Sequence, residues 1–167
     1  MKKITRIKIH KFLVLTAFFL APTLIYTHAE TAPFAKYAIE GATKVLIQSG
    51  VASSYQSGAE IDKSFDGDKS TMYHSSWSST SFPVTLTYTL NATSDLDYFI
   101  YTTRSSGANG NFKEVDVLVR KSGSTAYEKV LTKNFNGSNG SFKVLFDQQL
   151  KNVTHVRFSV KSGAGDG

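Results

Sequence analysis

The segment VTLTYTL at residues 84–90 gives the clearest indication of the fold class. Apolar side chains alternate with threonines along it, so that one face of an extended segment is apolar and the other is polar. The same alternation recurs over 115–119, 144–146 and 156–160. Alternation with a period of two, in β-branched and aromatic residues, predicts half-buried strands. Segments rich in Gly, Asn and Ser at 107–111, 121–124 and 136–140 predict the turns between them.

The whole domain is predicted to be all-β. No segment shows a sustained helical period, and we expect seven or eight strands spaced roughly ten residues apart. This spacing is typical of an antiparallel β-sandwich or jelly roll. A strong strand pattern at 153–161 is followed only by the glycine-rich segment 162–167. We therefore expect a C-terminally truncated sandwich that lacks its last strand.

The N-terminal residues have the pattern of an export signal. Five basic residues precede residue 12, an apolar stretch covers 12–25, and small residues close the segment before Glu30. We predict a signal peptide at 1–29, with an uncleaved membrane anchor as the alternative. A leader or linker at 30–43 and the folded domain at 44–167 complete the predicted organisation. The domain is then expected to be secreted, periplasmic or displayed at the cell surface.

Charge and cysteine content exclude several functions. The chain carries 19 basic and 13 acidic residues, but without the five basic residues of the signal the balance is close to neutral. The charge therefore gives no support to nucleic-acid binding. The absence of cysteine excludes thiolate metal sites, cysteine nucleophiles and a lipidated cysteine, and it leaves the core without disulfides.

The loop that begins at residue 63 is a candidate metal site. Asp66 and Asp68 flank Gly67, and the hydroxyl of Thr71 follows. Hard cations such as Ca²⁺ take six to eight oxygen ligands, and a short turn of this composition supplies several of them. The alternative is an Asx turn, in which Asp66 caps its own backbone beside Gly67.

Several segments together resemble a known family. They are KSFDGDKST at 63–71, the tryptophan at 77, FPVTL at 82–86, IYTTR at 100–104, NGNFKEV at 109–115 and VRF at 156–158. The combination resembles discoidin-type domains, that is, coagulation factor 5/8 C-terminal domains and carbohydrate-binding module family 32, over residues 45–167. Such modules also occur at the front of secreted enhancin-like zinc metallopeptidases that act on mucins. Their His-Glu-x-x-His motif is missing here, so a peptidase domain is expected beyond residue 167.

The resemblance implies a calcium site and a sugar site. The calcium ligands it implies are the carbonyl of Lys63, the carboxylates of Asp66 and Asp68, and the carbonyl and hydroxyl of Thr71. A glutamate that the family places on its last strand has no counterpart here.

For the sugar site the resemblance implies His74, Arg104 and Asn109. A neutral imidazole accepts from a sugar hydroxyl, a guanidinium spans two hydroxyls, and an amide donates and accepts. Tyr73 is a minor candidate contact. We predict that Trp77 lies in the core, because a lone tryptophan in a small β domain is usually buried.

Each sugar candidate has a structural alternative. Arg104 can pair with Asp95 or Asp97 on the surface, Asn109 can occupy a left-handed turn position before Gly110, and His74 can cap a strand end. The joint spacing of the three residues favours the sugar site.

The expected function is non-catalytic binding of galactose or N-acetylgalactosamine on host glycans such as mucin, in cooperation with downstream domains. His155 shows no evident partner in the sequence, and the serines beside His74 lack a nucleophile elbow, so catalysis is not expected. The alternatives are an adhesion module that binds protein or lipid, and a structural spacer. The polar loops at 75–81 and 105–111 argue against membrane insertion.

Overall fold

A computed structural model describes residues 42–78 and 81–165. The predicted signal peptide lies outside these residues. The described part forms one compact unit that starts at Thr43. In this part, no helix is long and apolar enough to cross a bilayer.

The domain is an antiparallel β structure, as the alternation predicts. Its strands are β1 (Ile47–Ala52), β2 (Val84–Thr102), β3 (Glu114–Lys121), β4 (Glu128–Asn134) and β5 (Ser141–Val160), and a single 3₁₀ turn covers Ile61–Ser64. The sheet order is β1-β2-β5-β3-β4, and all pairs are antiparallel. The all-β fold class is confirmed.

Two long strands build both layers of the sandwich. The first half of β2 pairs with the end of β5, and its second half pairs with the start of β5, with register shifts between Thr89 and Tyr98. The ring of Phe99, in the second half of β2, lies 5.1 Å from that of Phe158, near the end of β5. The β2–β5 ribbon therefore bends over, and its second half covers the layer formed by its first half with β1, β3 and β4.

The predicted count of seven or eight strands is wrong for the described residues, which contain five. The polar stretches at 91–97 and 147–152 resemble turns, but the backbone continues through them as bulged strand. A bulge bends a strand without ending it, so periodicity alone divides one bent strand into two.

The core follows the apolar face of the strands. Val115, Val117 and Val119 are fully buried, and Val84 and Leu86 are nearly so. Burial of such side chains is worth about 1.5–3 kcal/mol each, and it supplies the stability that disulfides would otherwise add.

One end of the sandwich carries most of the loops. Val84 pairs with Val160, and Thr102 pairs with Ser141, so the loops that flank these residues emerge together. The amide of Thr103 donates to the carbonyl of Gly140 at 2.9 Å and ties two of these loops to each other. Of the predicted site residues between 63 and 109, Lys63 lies in the 3₁₀ turn, and the others lie on the loops that meet these strand ends.

Candidate functional site

His74 is held by its backbone on both sides. Its amide donates to the carbonyl of Ala59 at 3.0 Å, and its carbonyl accepts from the amide of Gln56 at 2.8 Å. The ring Nδ1 lies 2.7 Å from the carbonyl oxygen of Ser75. Because a carbonyl only accepts, Nδ1 carries a proton, and in the neutral form of the ring Nε2 is then the acceptor. Nε2 faces Gly110, where an added Cβ would lie 3.4 Å from it.

Arg104 and Asn109 meet on the same loop. Arg104 follows β2, and its Nη1 is 3.5 Å from the carbonyl oxygen of Asn109. The side-chain oxygen of Asn109 lies over Gly165, where an added Cβ would come within 2.5 Å of it. Nε2 of His74 lies beside Gly110, so His74 contacts the loop that carries Arg104 and Asn109. The three predicted sugar residues therefore lie at one end of the domain.

The structure bears on two of the structural alternatives. Asp95 pairs with Lys151 at 2.8 Å, which leaves Asp97 as the carboxylate that the surface alternative for Arg104 still offers. The left-handed position of the loop belongs to Gly110, with a φ of 82°, and Asn109 is not among the residues with positive φ. His74 does bond to backbone, but through its main chain and Nδ1, so Nε2 remains available.

A buried amide anchors this loop, at a position whose sequence context predicts only a turn residue. Asn111 is 4% exposed. Its side-chain nitrogen lies 2.6 Å from Oδ1 of Asn139 and 3.2 Å from the carbonyl of Gly137. Buried polar groups that are satisfied in this way fix the relative position of the segments they join. Asn111 therefore holds the loop of Asn109 against the turn before β5.

The prediction that Trp77 lies in the core is wrong, because Trp77 is 73% exposed. Its ring meets that of His74 edge to face, with centroids 6.0 Å apart, and its amide donates to Oε1 of Gln56 at 3.3 Å. Valine, leucine, isoleucine and phenylalanine side chains fill the core. The loop of Trp77 therefore presents an aromatic surface beside His74.

Tyr73 belongs to the framework below the site. Its ring packs against the core cluster that contains Val84, and its hydroxyl donates to the carbonyl of Ser54 at 2.5 Å. Burial raises the pKa of the Tyr73 phenol well above its usual range. Its role as a sugar contact stays a prediction.

Near Trp77, a shallow cleft of about 400 Å³ opens between two loops. Its lining is mainly hydroxyl-bearing: Ser53, Ser54, Tyr55, Ser76, Ser81 and Pro83. It gives polar contact surface next to the exposed indole.

The predicted metal loop is closed by its own hydrogen bonds. Asp66 accepts from the amide of Asp68 at 2.9 Å and from the hydroxyl of Thr71 at 2.7 Å, around Gly67 with a φ of 85°. Asp68 accepts from the hydroxyl and amide of Ser70, which hold the pKa of Asp68 below its usual range. The first contact of Asp66 is the predicted Asx turn.

The same oxygens also suit a hard cation. The hydroxyl of Thr71 lies within 3.1 Å of both a carboxylate oxygen of Asp66 and the carbonyl oxygen of Asp68. Among the described residues no three carboxylate or imidazole side chains form a metal-binding group. Any cation here would depend on carbonyl and hydroxyl oxygens as well, which Ca²⁺ accepts. The ammonium group of Lys63, which pairs with Asp62 at 3.3 Å, is itself a cation without a free electron pair, so the candidate ligand from Lys63 is its carbonyl.

The β-sandwich therefore carries an imidazole, a guanidinium, an amide and an exposed indole on loops at one end. The family model described as F5/8 type C domain matches residues 49–167, and the chain belongs to that family. No curated protein matches the chain.

Several solved structures share this fold. The family 32 carbohydrate-binding module of Clostridium perfringens NanJ, in complex with galactose, is 22% identical, with a TM-score of 0.65 over 70% of this chain and 84% of that one. The module CpGH89CBM32-5 of Clostridium perfringens, in complex with GalNAc-β-1,3-galactose, is 23% identical, with a TM-score of 0.64 over 70% and 86%. The two CBM32 domains and M60 catalytic domain of Clostridium perfringens ZmpB give 23% identity and a TM-score of 0.59, over 70% of this chain and 12% of that longer one.

Proposed function

We propose that this domain is a non-catalytic carbohydrate-binding module for terminal galactose or N-acetylgalactosamine. The observation that carries the proposal is the convergence of His74, Arg104 and Asn109 on one loop, with Nε2 of His74 beside Gly110 and Nη1 of Arg104 3.5 Å from the Asn109 carbonyl. The galactose and GalNAc-β-1,3-galactose complexes of two structural neighbours support this ligand class.

The residues divide the recognition of a sugar among them. Nε2 of His74 accepts from one hydroxyl, the guanidinium of Arg104 donates to two oxygens, and the amide of Asn109 donates and accepts. Trp77 offers an apolar face to the C–H side of the sugar ring. Tryptophan suits a site of this kind, which has one apolar side and one solvated side. A fixed set of this kind distinguishes an axial hydroxyl from an equatorial one, because only one epimer reaches all partners.

Calcium is part of the proposal as a structural ion. The carboxylates of Asp66 and Asp68, the hydroxyl and carbonyl of Thr71 and the carbonyl of Lys63 would hold it. When bound it would supply positive charge that draws these oxygens together. That would stiffen the loop that leads to His74.

The proposed biological role is the retention of a larger exported protein on host glycans such as mucin. The fold match to ZmpB, whose structure contains two such modules and an M60 catalytic domain, supports a peptidase as the tethered activity. A single shallow sugar site binds weakly, and tethering or repetition of modules raises the effective affinity.

A second function is favoured by one observation. Trp77, Phe82 and Met72 are 73%, 42% and 40% exposed on loops near the site. Exposed apolar side chains on loops suit insertion into a lipid interface. Sedimentation with vesicles of phosphatidylcholine, with and without phosphatidylserine, tests it. Binding to vesicles that is lost in W77A but retained in H74A would favour the lipid function over the sugar function.

The test of the sugar function is a glycan array followed by calorimetry with methyl β-galactoside and methyl β-glucoside. We expect the full chain to bind the galactoside. Each of the variants H74A, R104A and N109A should bind at least about tenfold more weakly, because each loses a hydrogen bond to the sugar. Lys133→Ala, an exposed change on β4, is the control and should bind as the parent does. If the folded parent bound no galactose-type glycan, the proposal would be wrong.

A further inference from the structure

The outer face of the sheet carries a cluster of cationic side chains, far from the loops that carry His74 and Arg104. Arg120 of β3 pairs in register with His155 of β5, and Arg157 lies two residues further along β5, on the same face. Tyr127, in the connection between β3 and β4, covers them. Its ring centroid is 3.8 Å from the Arg157 guanidinium carbon and 5.5 Å from that of Arg120.

The histidine of this cluster does not balance the charge of the arginines. Nε of Arg120 donates to Nδ1 of His155 at 3.3 Å, so the imidazole is an acceptor there and is neutral. Burial, and then the charges of Arg120 and Arg157, lower the pKa of His155. The half-buried cluster therefore carries two positive charges side by side.

Carboxylates on the neighbouring elements are already paired. Asp116, on the same face of β3, is in contact with Lys129 and Lys161, and Glu128 pairs with Lys121 at 2.8 Å. Within the described part of the chain, no ion pair joins a carboxylate to Arg120 or to Arg157.

Arg120 places two of its donor nitrogens against the His155 ring, because its Nε and its Nη2 lie 3.3 Å and 2.9 Å from Nδ1 and Nη2 also contacts Nε2. Arg157 is less engaged by its neighbours. Nε of Arg157 donates to the hydroxyl of Thr87 at 2.9 Å, and no described residue accepts from its two Nη nitrogens. A stacked guanidinium keeps its in-plane N–H groups for other partners, and they match the oxygens of carboxylate or sulfate. Two like charges at a half-buried site also repel, and a bound anion would relieve that repulsion.

We propose that Arg120 and Arg157, framed by Tyr127 and His155, form an oxyanion-binding site for the sulfate or carboxylate group of an acidic saccharide. Five residues separate His155 from the strand end at Val160, so the site lies about 16 Å along the strand from the loops. The anion site stands on its own geometry, and only the saccharide as carrier of the anion rests on the proposed function. One module would then read a neutral sugar at its loop end and an acidic group on its sheet face.

The test is an NMR titration of the arginine Nε–H signals with sodium sulfate and with N-acetylneuraminic acid, each compared with sodium chloride at equal ionic strength. We expect saturable shifts at Arg120 and Arg157 with at least one of the two anions. Saturation by sulfate alone assigns a sulfate ester, and saturation by the sugar acid alone assigns a carboxylate.

Variants separate the site from general electrostatics. R120Q and R157Q should each weaken anion binding at least about tenfold. Lys129→Gln removes one charge from an exposed side chain on the adjacent strand, and it should change binding by less than about twofold because exposed charge is screened. R120K keeps the charge without the fork and should still weaken binding, with thermal melts confirming that each variant is folded.

Two results would overturn the proposal: shifts that grow linearly as with chloride, or a loss in K129Q equal to that in R157Q. H74A should lose the galactoside and keep the anion. A failure of the sugar site is thereby distinguished from a failure of the anion site.

Discussion

The indole of Trp77 meets the imidazole of His74 edge to face, with centroids 6.0 Å apart, although Trp77 is 73% exposed. An exposed tryptophan that is fixed against a polar ring places an apolar surface beside a hydrogen-bond acceptor. A pyranose needs both at once, because its C–H face is apolar and its hydroxyl edge is polar.

Replacement of this indole should affect binding and leave stability nearly unchanged. We expect W77A to weaken methyl β-galactoside binding roughly tenfold, about 1.4 kcal/mol. The reason is that aromatic side chains contribute much of the binding energy of a small site, and the substitution removes this one. The melting temperature should stay close to that of the parent, since the side chain is outside the core. Calorimetry and thermal unfolding measure the two effects.

The chain contains a single tryptophan, which supplies a second readout in the parent. Saturation with the galactoside should change the emission of Trp77. If calorimetry shows binding while the emission stays constant, the indole is not the platform. W77F, which keeps an aromatic face, should retain part of the affinity.

A methyl group at Gly110 should block the acceptor of His74. Gly110 has a φ of 82°, and an added Cβ would lie 3.4 Å from Nε2. We expect G110A to lose about 1–2 kcal/mol of stability from the left-handed backbone, and about tenfold in galactoside affinity from the lost hydrogen bond. Urea unfolding and calorimetry measure them.

Gly123 is the matched control for this change. Its φ is 79°, and nothing lies within 4 Å of an added Cβ. G123A should therefore show a similar loss of stability with unchanged affinity. Equal affinities of G110A and G123A would contradict the placement of the sugar beside His74.

Calcium should stabilise the protein through the loop of Asp66. At a calcium concentration about 100 times the dissociation constant, the expected gain in unfolding free energy is about 2.7 kcal/mol. D66N should abolish the gain, because it removes a charged oxygen ligand from a short loop. Thermal melts in EDTA and in CaCl₂ measure the gain. Asp147→Asn, an exposed change on β5, is the control. Melts that are identical with and without calcium would remove the ion from the proposal.

Alkaline pH should destabilise the domain through Tyr101. Burial raises the pKa of its phenol to about 12, even though the amide of Phe112 donates to the phenol oxygen at 3.0 Å. Because the unfolded phenol titrates near pH 10, the folded state holds the proton more tightly. Its contribution is complete below about pH 10 and is lost as the pH rises toward 12, about 3 kcal/mol in all.

Y101F tests this dependence. It should cost about 1 kcal/mol at neutral pH, since the Phe112 amide loses its acceptor, and it should make the alkaline decline of the unfolding free energy shallower. Part of the decline should remain, because burial also raises the pKa of Tyr73 and Tyr88. A variant with the same decline as the parent would show that Tyr101 does not titrate as proposed.

The alternation of apolar and polar residues predicts which segments form strands and which of their side chains are buried. The alternation at 84–90 correctly places Val84 and Leu86 in the core, with 4% and 2% exposure. It does not reveal that β2 continues to Thr102, because a strand that bends through a bulge has no sequence period of its own. Strand existence was predictable from the sequence, and strand number was not.

The site residues show a similar division. The contact of His74 with the loop that carries Arg104 and Asn109 depends on how two loops meet. A family resemblance implied that these three residues share a site, but no local pattern predicted the contact. The exposure of Trp77 and the burial of Asn111 depend on tertiary packing, to which residue type is a weak guide. A partner for His155 is not evident from its sequence neighbours, because strand register sets Arg120 directly opposite it, 35 residues away.

The sharing of β2 and β5 between both layers has a consequence for how the domain comes apart. The two halves of the ribbon face each other through side chains such as Phe99 and Phe158, whose rings are 5.1 Å apart. Loss of either half would therefore expose the apolar side chains of the other half to water. Stability gained at the metal loop or lost at Tyr101 is therefore spread over the entire domain, which should unfold in a single cooperative transition.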